Sequence, residues 1–201
     1  MSSTDHDIII LGGGHNGLVA ACYLAQAGMD VLLLECREFL GGACVTEELF
    51  PGYRFSACSY ICHMLQTKVI DDLELRKHGF EVFPLEPSRF SPLPNGRSLS
   101  LWDDLERSQE EIGRFSKKDA ESYPKWLDFW RRSAGLIHAY FLKPPPTISE
   151  IAERVRDTKD EALFDRLLTA NMKDLVDQFF ESDTVKGTLI QAQDVGDVNA
   201  P

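Results

Sequence analysis

His6-Asp-Ile-Ile-Ile-Leu-Gly12-Gly-Gly14-His-Asn-Gly17 is followed, after a helix-length gap, by Asp30-Val-Leu-Leu-Leu-Glu35. An apolar run, G-x-G-x-x-G, a helix, a second apolar run and an acid together describe a dinucleotide-binding βαβ unit. Gly12 permits the tight turn out of the first strand, Gly14 lets backbone approach a pyrophosphate, and Gly17 lets the helix pack closely on the sheet. The diphosphate would rest on the helix N-terminus, where free N–H groups and the helix dipole favour negative charge. Glu35, ending the second strand, is placed to accept hydrogen bonds from a ribose diol. Leu18, Ala21, Cys22 and Ala25 form a 3.6-period stripe on the intervening helix. Gly28 follows where a C-terminal cap belongs, and Met29 to Leu34 reads as a buried parallel strand.

An acid on the ribose argues against NADP, whose 2′-phosphate it would repel, but leaves NAD and FAD both open. The next segment, Glu35-Cys-Arg-Glu-Phe-Leu-Gly41-Gly42-Ala-Cys-Val-Thr46, narrows the choice. Here the chain resembles the glutathione-reductase-like FAD superfamily. Residues 18–34 reproduce that family's spacing between the last glycine and the acid, and Gly41-Gly42 match its Gly-Gly doublet. Within the superfamily, Gly14–Ala21, Gly41–Glu48 and Pro51–Ser56 are most similar to phytoene-desaturase-like and amine-oxidase-like flavoproteins. The resemblance implies FAD as cofactor, with Gly12, Gly14, Gly17, Glu35, Gly41 and Gly42 holding it. Many amine-oxidase relatives carry an arginine directly after the doublet, where this chain has Ala43; Arg37 is the candidate to take that place. His15 is expected to shape the phosphate turn rather than to transfer protons.

A formal net charge of −11 and the lack of a basic stripe exclude nucleic acid and an anionic membrane surface as expected partners. No apolar run reaches membrane-spanning length. The polar start, Met-Ser-Ser-Thr-Asp-His-Asp, carries neither secretory signal nor basic transit peptide, so the expected compartment is the cytoplasm. The family resemblance makes the mitochondrial matrix the alternative. The cysteines, Cys22, Cys36, Cys44, Cys58 and Cys62, read as small buried hydrophobes rather than disulfides. The disulphide reductases pair a cysteine after the doublet with one five residues on, and position 49 is Leu49, so dithiol chemistry does not follow. Cys58, Cys62 and His63 lack the second ligand pair that zinc requires, and no metal is expected.

The fold expected is α/β: a Rossmann-like FAD-binding βαβ with an incomplete parallel sheet over residues 1–79, then a mostly helical α+β partial substrate domain over 80–201. Residues 41–64 are expected to form a loop running under the flavin, and Lys68 to His78 a helix capped by Gly79. Phe80–Pro84 and Arg89–Trp102 read as antiparallel strands, with Asn95-Gly96 as a tight hairpin turn. Helices are expected at Asp104–Phe115 and Ser122–Leu142, the latter with Tyr123, Trp126, Leu127, Trp130, Ala134, Ile137 and Phe141 on one face. That stripe reads as core in preference to a substrate-pocket lining. After Pro144-Pro145-Pro146, Thr147-Ile-Ser-Glu150 is a capping box, and further helices follow near 160–170 and 171–181, the last capped by Asn171.

The resemblance implies an FAD-dependent oxidoreductase passing hydride from an apolar or amine-type small-molecule substrate to flavin. In that family the chain later returns to the FAD domain. This sequence ends at Asp194–Pro201 before such a return, which makes it an expected N-terminal portion of a longer enzyme, without an assignable catalytic residue. An NAD-dependent dehydrogenase and a non-enzymatic interaction module stay open as alternatives.

Overall fold

The computed structural model describes residues 5–190. The expectations resting on Met1–Thr4 and on the end of the chain from Asp194 lie outside the described residues. The chain divides into two compact units, Met1–Phe83 and Pro84–Pro201.

In the first unit, β1 (Ile8–Leu11) and β2 (Val31–Leu34) pair in parallel with Ile8 opposite Val31 and Leu11 opposite Leu34. Between them runs α1 (His15–Gln26), closed at Ala27 and Gly28. The helix stripe differs from expectation: Leu18 and Ala21 are half-buried, whereas Cys22 and Ala25 are exposed and Leu24 takes the inner position. Residues 18, 21 and 24 keep the spacing that faces the two strands, and Cys22 lies a quarter-turn off it. Val31 to Leu33 are half-buried rather than buried, and Ile9 and Leu11 are exposed, because two strands cover little of each other's faces. Residues 41–64 are not one loop. A 3-10 turn (Gly42–Cys44) leads into β3 (Thr46–Phe50) and β4 (Tyr53–Ser56), an antiparallel hairpin with an irregularity between Glu48 and Phe50. Its turn is Pro51-Gly52, with the Gly52 N–H donating to Glu48 Oε1 at 2.8 Å. The helix expected over 68–78 also breaks. α2 (Thr67–Asp72) stops where Glu74 turns left-handed, and a 3-10 segment, Leu75–His78, runs on to Gly79. This turn keeps Leu73 buried. The Tyr23 hydroxyl donates to Asp72 at 2.7 Å and Lys68 pairs with the same carboxylate at 2.5 Å, tying α1 to α2.

The second unit opens on a hairpin of β5 (Arg89–Pro92) and β6 (Ser98–Leu101), joined through a 3-10 turn, Pro94–Gly96, rather than a two-residue turn. Phe80–Pro84 forms no strand. Pro84 and Pro87 remove ladder donors nearby, and Val82 and Phe83 are left exposed. Helices follow: α3 (Leu105–Gly113), α4 (Lys117–His138), α5 (Ile148–Val155), α6 (Glu161–Thr169), α7 (Met172–Phe179) and α8 (Asp183–Leu189). Asp104, Ser116 and Asn171 cap α3, α4 and α7, and Thr147 with Glu150 forms the capping box of α5.

α4 begins five residues earlier than expected and carries Pro124 inside it. A proline there removes the N–H that Ala120 would receive, and the Gln109 side chain supplies the replacement, Nε2 to the Ala120 carbonyl at 2.7 Å. The buried face of α4 is Asp119, Tyr123, Trp126, Phe129, Ser133 and Leu136. Leu127, Ile137 and Phe141, expected on that face, are exposed. The first part of the stripe is therefore core, and its second half is rotated toward Phe129 and Leu136. Trp126 meets Phe179 and Phe180 edge-on at 5.4 and 5.6 Å between ring centres.

Candidate functional site

β1 hands the chain to Gly12, whose φ of +103° only glycine adopts easily and whose N–H donates to the Leu34 carbonyl at 2.7 Å. The turn thus leaves the sheet at the end of β2, beside Glu35. Gly13 is buried and donates its N–H to Glu35 Oε2 at 2.7 Å, while the Arg37 N–H donates to Oε1 at 3.0 Å. These backbone donors, with the Cys36 thiol, hold the Glu35 carboxyl down to about 2. It is an anion at neutral pH; Oε1 also accepts the Cys36 S–H at 3.3 Å, while Oε2, with the Gly13 N–H alone, keeps a lone pair for a further donor.

Gly14 stands at the N-cap of α1, and no side chain caps that first turn. Its N–H groups face outward, with the positive end of the helix dipole behind them. Gly17 sits where a Cβ would run into the Gly12 carbonyl oxygen, so the helix lies against the turn itself. The Gly41-Gly42 doublet crosses this place. The Gly41 N–H donates to the Gly13 carbonyl at 2.7 Å, and Gly14 and Gly41 form a parallel bridge. Gly42, at φ +56°, is so close that a Cβ would lie 2.9 Å from Gly14 Cα. Sequence positions 12–17, 35 and 41–42 therefore share one cradle made largely of backbone.

Arg37 enters the cradle through its backbone N–H, while its side chain is engaged elsewhere. Its guanidinium pairs with Glu47 at 2.6 Å and lies over the Phe39 ring at 4.2 Å. Two participants escaped the sequence reading. Gly13 orients Glu35, and the signal was the third glycine in an uninterrupted Gly12-Gly13-Gly14 run. Cys44, on the 3-10 turn after the doublet, has its Sγ 3.6 Å from His15 Nδ1 and 3.6 Å from the Ser59 hydroxyl. The expectation that the cysteines are buried is corrected throughout: all five are free and exposed. Each lies on a helix flank or a connecting segment of a unit whose buried apolar side chains are Val45, Val69 and Leu73. Among the described residues, no cluster of His, Cys, Asp and Glu is disposed to hold a metal ion. No helix there is long and apolar enough to cross a membrane.

In the second unit, an open depression of about 500 Å³ is lined by Phe129 and Phe179 but also by Lys125, Asp128, Arg132 and Arg166. Its lining mixes aromatic rings with charge. Arg132 is held by Asp160 at 2.5 Å, and Arg166 lies 5.7 Å from both ring centres.

Residues 10–74 match the NAD(P)-binding Rossmann-like domain family. Over 98% of its length the chain is 33% identical to pyridine nucleotide-disulfide oxidoreductase domain-containing protein 2 of Rattus norvegicus. It is 37% identical to a component of the limonene dehydrogenase of Castellaniella defragrans over 69% of the chain and 26% of that protein. It is 29% identical to phytoene desaturase of Cercospora nicotianae over 63% of the chain and 21% of that protein. The chain spans 38% of the length of the rat relative. Residues 10–74 thus carry an NAD(P)-binding Rossmann-like domain, and the chain is similar to a phytoene desaturase among its relatives, as the motifs at 14–21 and 41–48 led one to expect.

Proposed function

We propose that the cradle binds FAD and that this chain is the nucleotide-binding portion of an FAD-dependent oxidoreductase. What carries the reading is the convergence of the glycine turn, the Glu35 carboxylate and the Gly41-Gly42 backbone on one spot. Gly14 and the first turn of α1 would receive the diphosphate, Glu35 the adenosine ribose, and Gly41-Gly42 would let the cofactor pass close to backbone. Glu35 is ionised when it does so, and its bonds to Gly13 and Arg37 fix its orientation before a ligand arrives. FAD, when bound, supplies the hydride acceptor for oxidation of an apolar or amine-type substrate. Phytoene desaturase and limonene dehydrogenase among the relatives support an apolar substrate by their names. The unit from Pro84 onward is our candidate for part of the substrate domain. Five free cysteines accord with a reducing compartment, and the cytoplasm is our proposal.

A nicotinamide dinucleotide is the second reading, favoured by the family that residues 10–74 match. NAD is preferred to NADP within it, because the Glu35 carboxylate would repel a 2′-phosphate. The purified chain is tested by its visible spectrum and by identification of any nucleotide released on denaturation. Release of equimolar FAD is the expected result. A colourless protein that binds NADH favours the second reading, and one that takes up neither nucleotide overturns both.

A further inference from the structure

Cys44 is the one cysteine among the described residues with an imidazole within hydrogen-bond reach, His15 Nδ1 at 3.6 Å. The Ser59 hydroxyl lies at the same 3.6 Å from the sulfur. Cys44 is exposed, and so are the other four cysteines, so exposure alone does not single it out. Its neighbours do. Cys36 lends its S–H to the Glu35 carboxylate at 3.3 Å, a group already engaged by two backbone donors. Cys44 instead meets a group able to accept its proton as the sulfur attacks, and it lies beside the first residue of α1, where the positive end of the helix dipole favours the thiolate. Thiol, imidazole and hydroxyl come from three separate chain segments: the contact of Gly42 with Gly14 brings Cys44 to His15, and the Ser59 N–H, donating to the Ala43 carbonyl at 3.0 Å, brings in the hydroxyl. The pair lies at the lip of the cradle, one residue from Gly14 on one side and two from Gly42 on the other.

We propose that Cys44, with His15 as its base and Ser59 as a second polar partner, is a thiol-modification site that takes small disulfides, and that its modification and dinucleotide binding exclude each other. The second clause rests on the dinucleotide reading above; the first does not. In the reaction Cys44 Sγ attacks one sulfur of the disulfide, a new S–S bond forms and the old one breaks. The thiol proton passes to His15 Nδ1 and from there to the departing thiolate. Cys44 is oxidised to a mixed disulfide while the small disulfide is reduced, one half leaving as free thiol. The added group then stands where a pyrophosphate would approach Gly14.

The full chain treated with cystamine, with labelling at each cysteine followed by peptide mass spectrometry, tests this. Cys44 is expected to react about tenfold faster than Cys22, Cys58 and Cys62 in the same sample. His15→Gln should bring Cys44 down to their rate while leaving theirs unchanged, which also reports that the unit is folded; Ser59→Ala gives a second, milder variant. Chain modified at Cys44 should lose FAD uptake, and saturating FAD should slow labelling at Cys44 alone. Equal rates at all the cysteines, or an unchanged Cys44 rate in His15→Gln, overturns the reactive site. Modified chain that binds FAD as well as unmodified chain overturns the exclusion. If unmodified chain binds neither FAD nor NADH, the dinucleotide reading fails and the exclusion with it, while the labelling rates still decide the thiol.

Discussion

Gly14 and Gly17 sit three residues apart in one motif and should fail in opposite ways. A Cβ at Gly14 would find only Gly42 Cα, at 3.8 Å, and the backbone there, φ −72° and ψ 171°, suits any residue. Gly14→Val is therefore expected to fold with little loss of stability and to lose nucleotide uptake, measured by equilibrium dialysis with FAD. A Cβ at Gly17 meets the Gly12 carbonyl oxygen, which belongs to the turn and cannot move aside cheaply. Gly17→Ala should cost ~1–3 kcal/mol of stability by denaturant unfolding, whatever it does to binding. Glu35 adds a pH dependence. Its folded carboxyl lies at about 2, against an ordinary value of 4.5. Its stabilising contribution is complete above the ordinary value and disappears as pH falls through about 2. Glu35→Gln should accordingly be less stable than the parent near neutrality and equal to it in strong acid. Faster amide exchange at Gly13 and Arg37 in the variant at neutral pH would locate the effect.

The helices of the second unit show how elements repair each other's defects. Pro124 within α4 leaves the Ala120 carbonyl without its helical donor, and Gln109 from α3 supplies one at 2.7 Å. Gln109→Leu should cost ~1–3 kcal/mol by exposing that acceptor's need, and the double variant with Pro124→Ala should recover most of the loss. Asp119 works in the same manner between α4 and the turn into α8. Its buried carboxylate accepts the N–H groups of Glu181 at 2.8 Å and Ser182 at 3.0 Å. Asp119→Ala leaves both donors unpaired and should lower stability by ~3 kcal/mol in thermal unfolding.

Across the whole chain, burial is uneven. The apolar core that joins Leu99, Ile112, Tyr123, Trp126, Val176 and Val185 belongs entirely to the second unit. The first buries Val45, Val69 and Leu73, while Ile9, Leu11 and Leu34 on its two strands remain exposed. Amide exchange followed by mass spectrometry should find the slowest amides in α3, α4 and α7 and fast ones in β1 and β2. A bound dinucleotide stabilises what it touches, so added FAD should slow exchange around Gly12 to Gly17. Unchanged exchange there with FAD bound would contradict the placement of the nucleotide on the glycine turn.

The βαβ unit and most of its cradle could be read from the residues, because each local requirement is met by adjacent chain: an apolar run, a glycine turn, an acid at fixed spacing, the doublet after it. The helix caps at Thr147 and Asn171 were legible for the same reason, being contacts across three residues. The hairpin of β3 and β4 carried a local signal too, Pro51-Gly52, which the family resemblance overrode. What could not be read were choices made by distant neighbours. Which face of α4 is buried depends on rings from α7, and whether Pro124 ends the helix depends on an amide from α3. The direction of Arg37 is set by Glu47 across the start of a hairpin. The meeting of Cys44, His15 and Ser59 is of this kind, since nothing in the spacing of 15, 44 and 59 brings them within hydrogen-bond reach. Short-range periodicity and steric rules act along the chain, whereas packing and polar satisfaction act through space, and the second set exists only once the elements have docked.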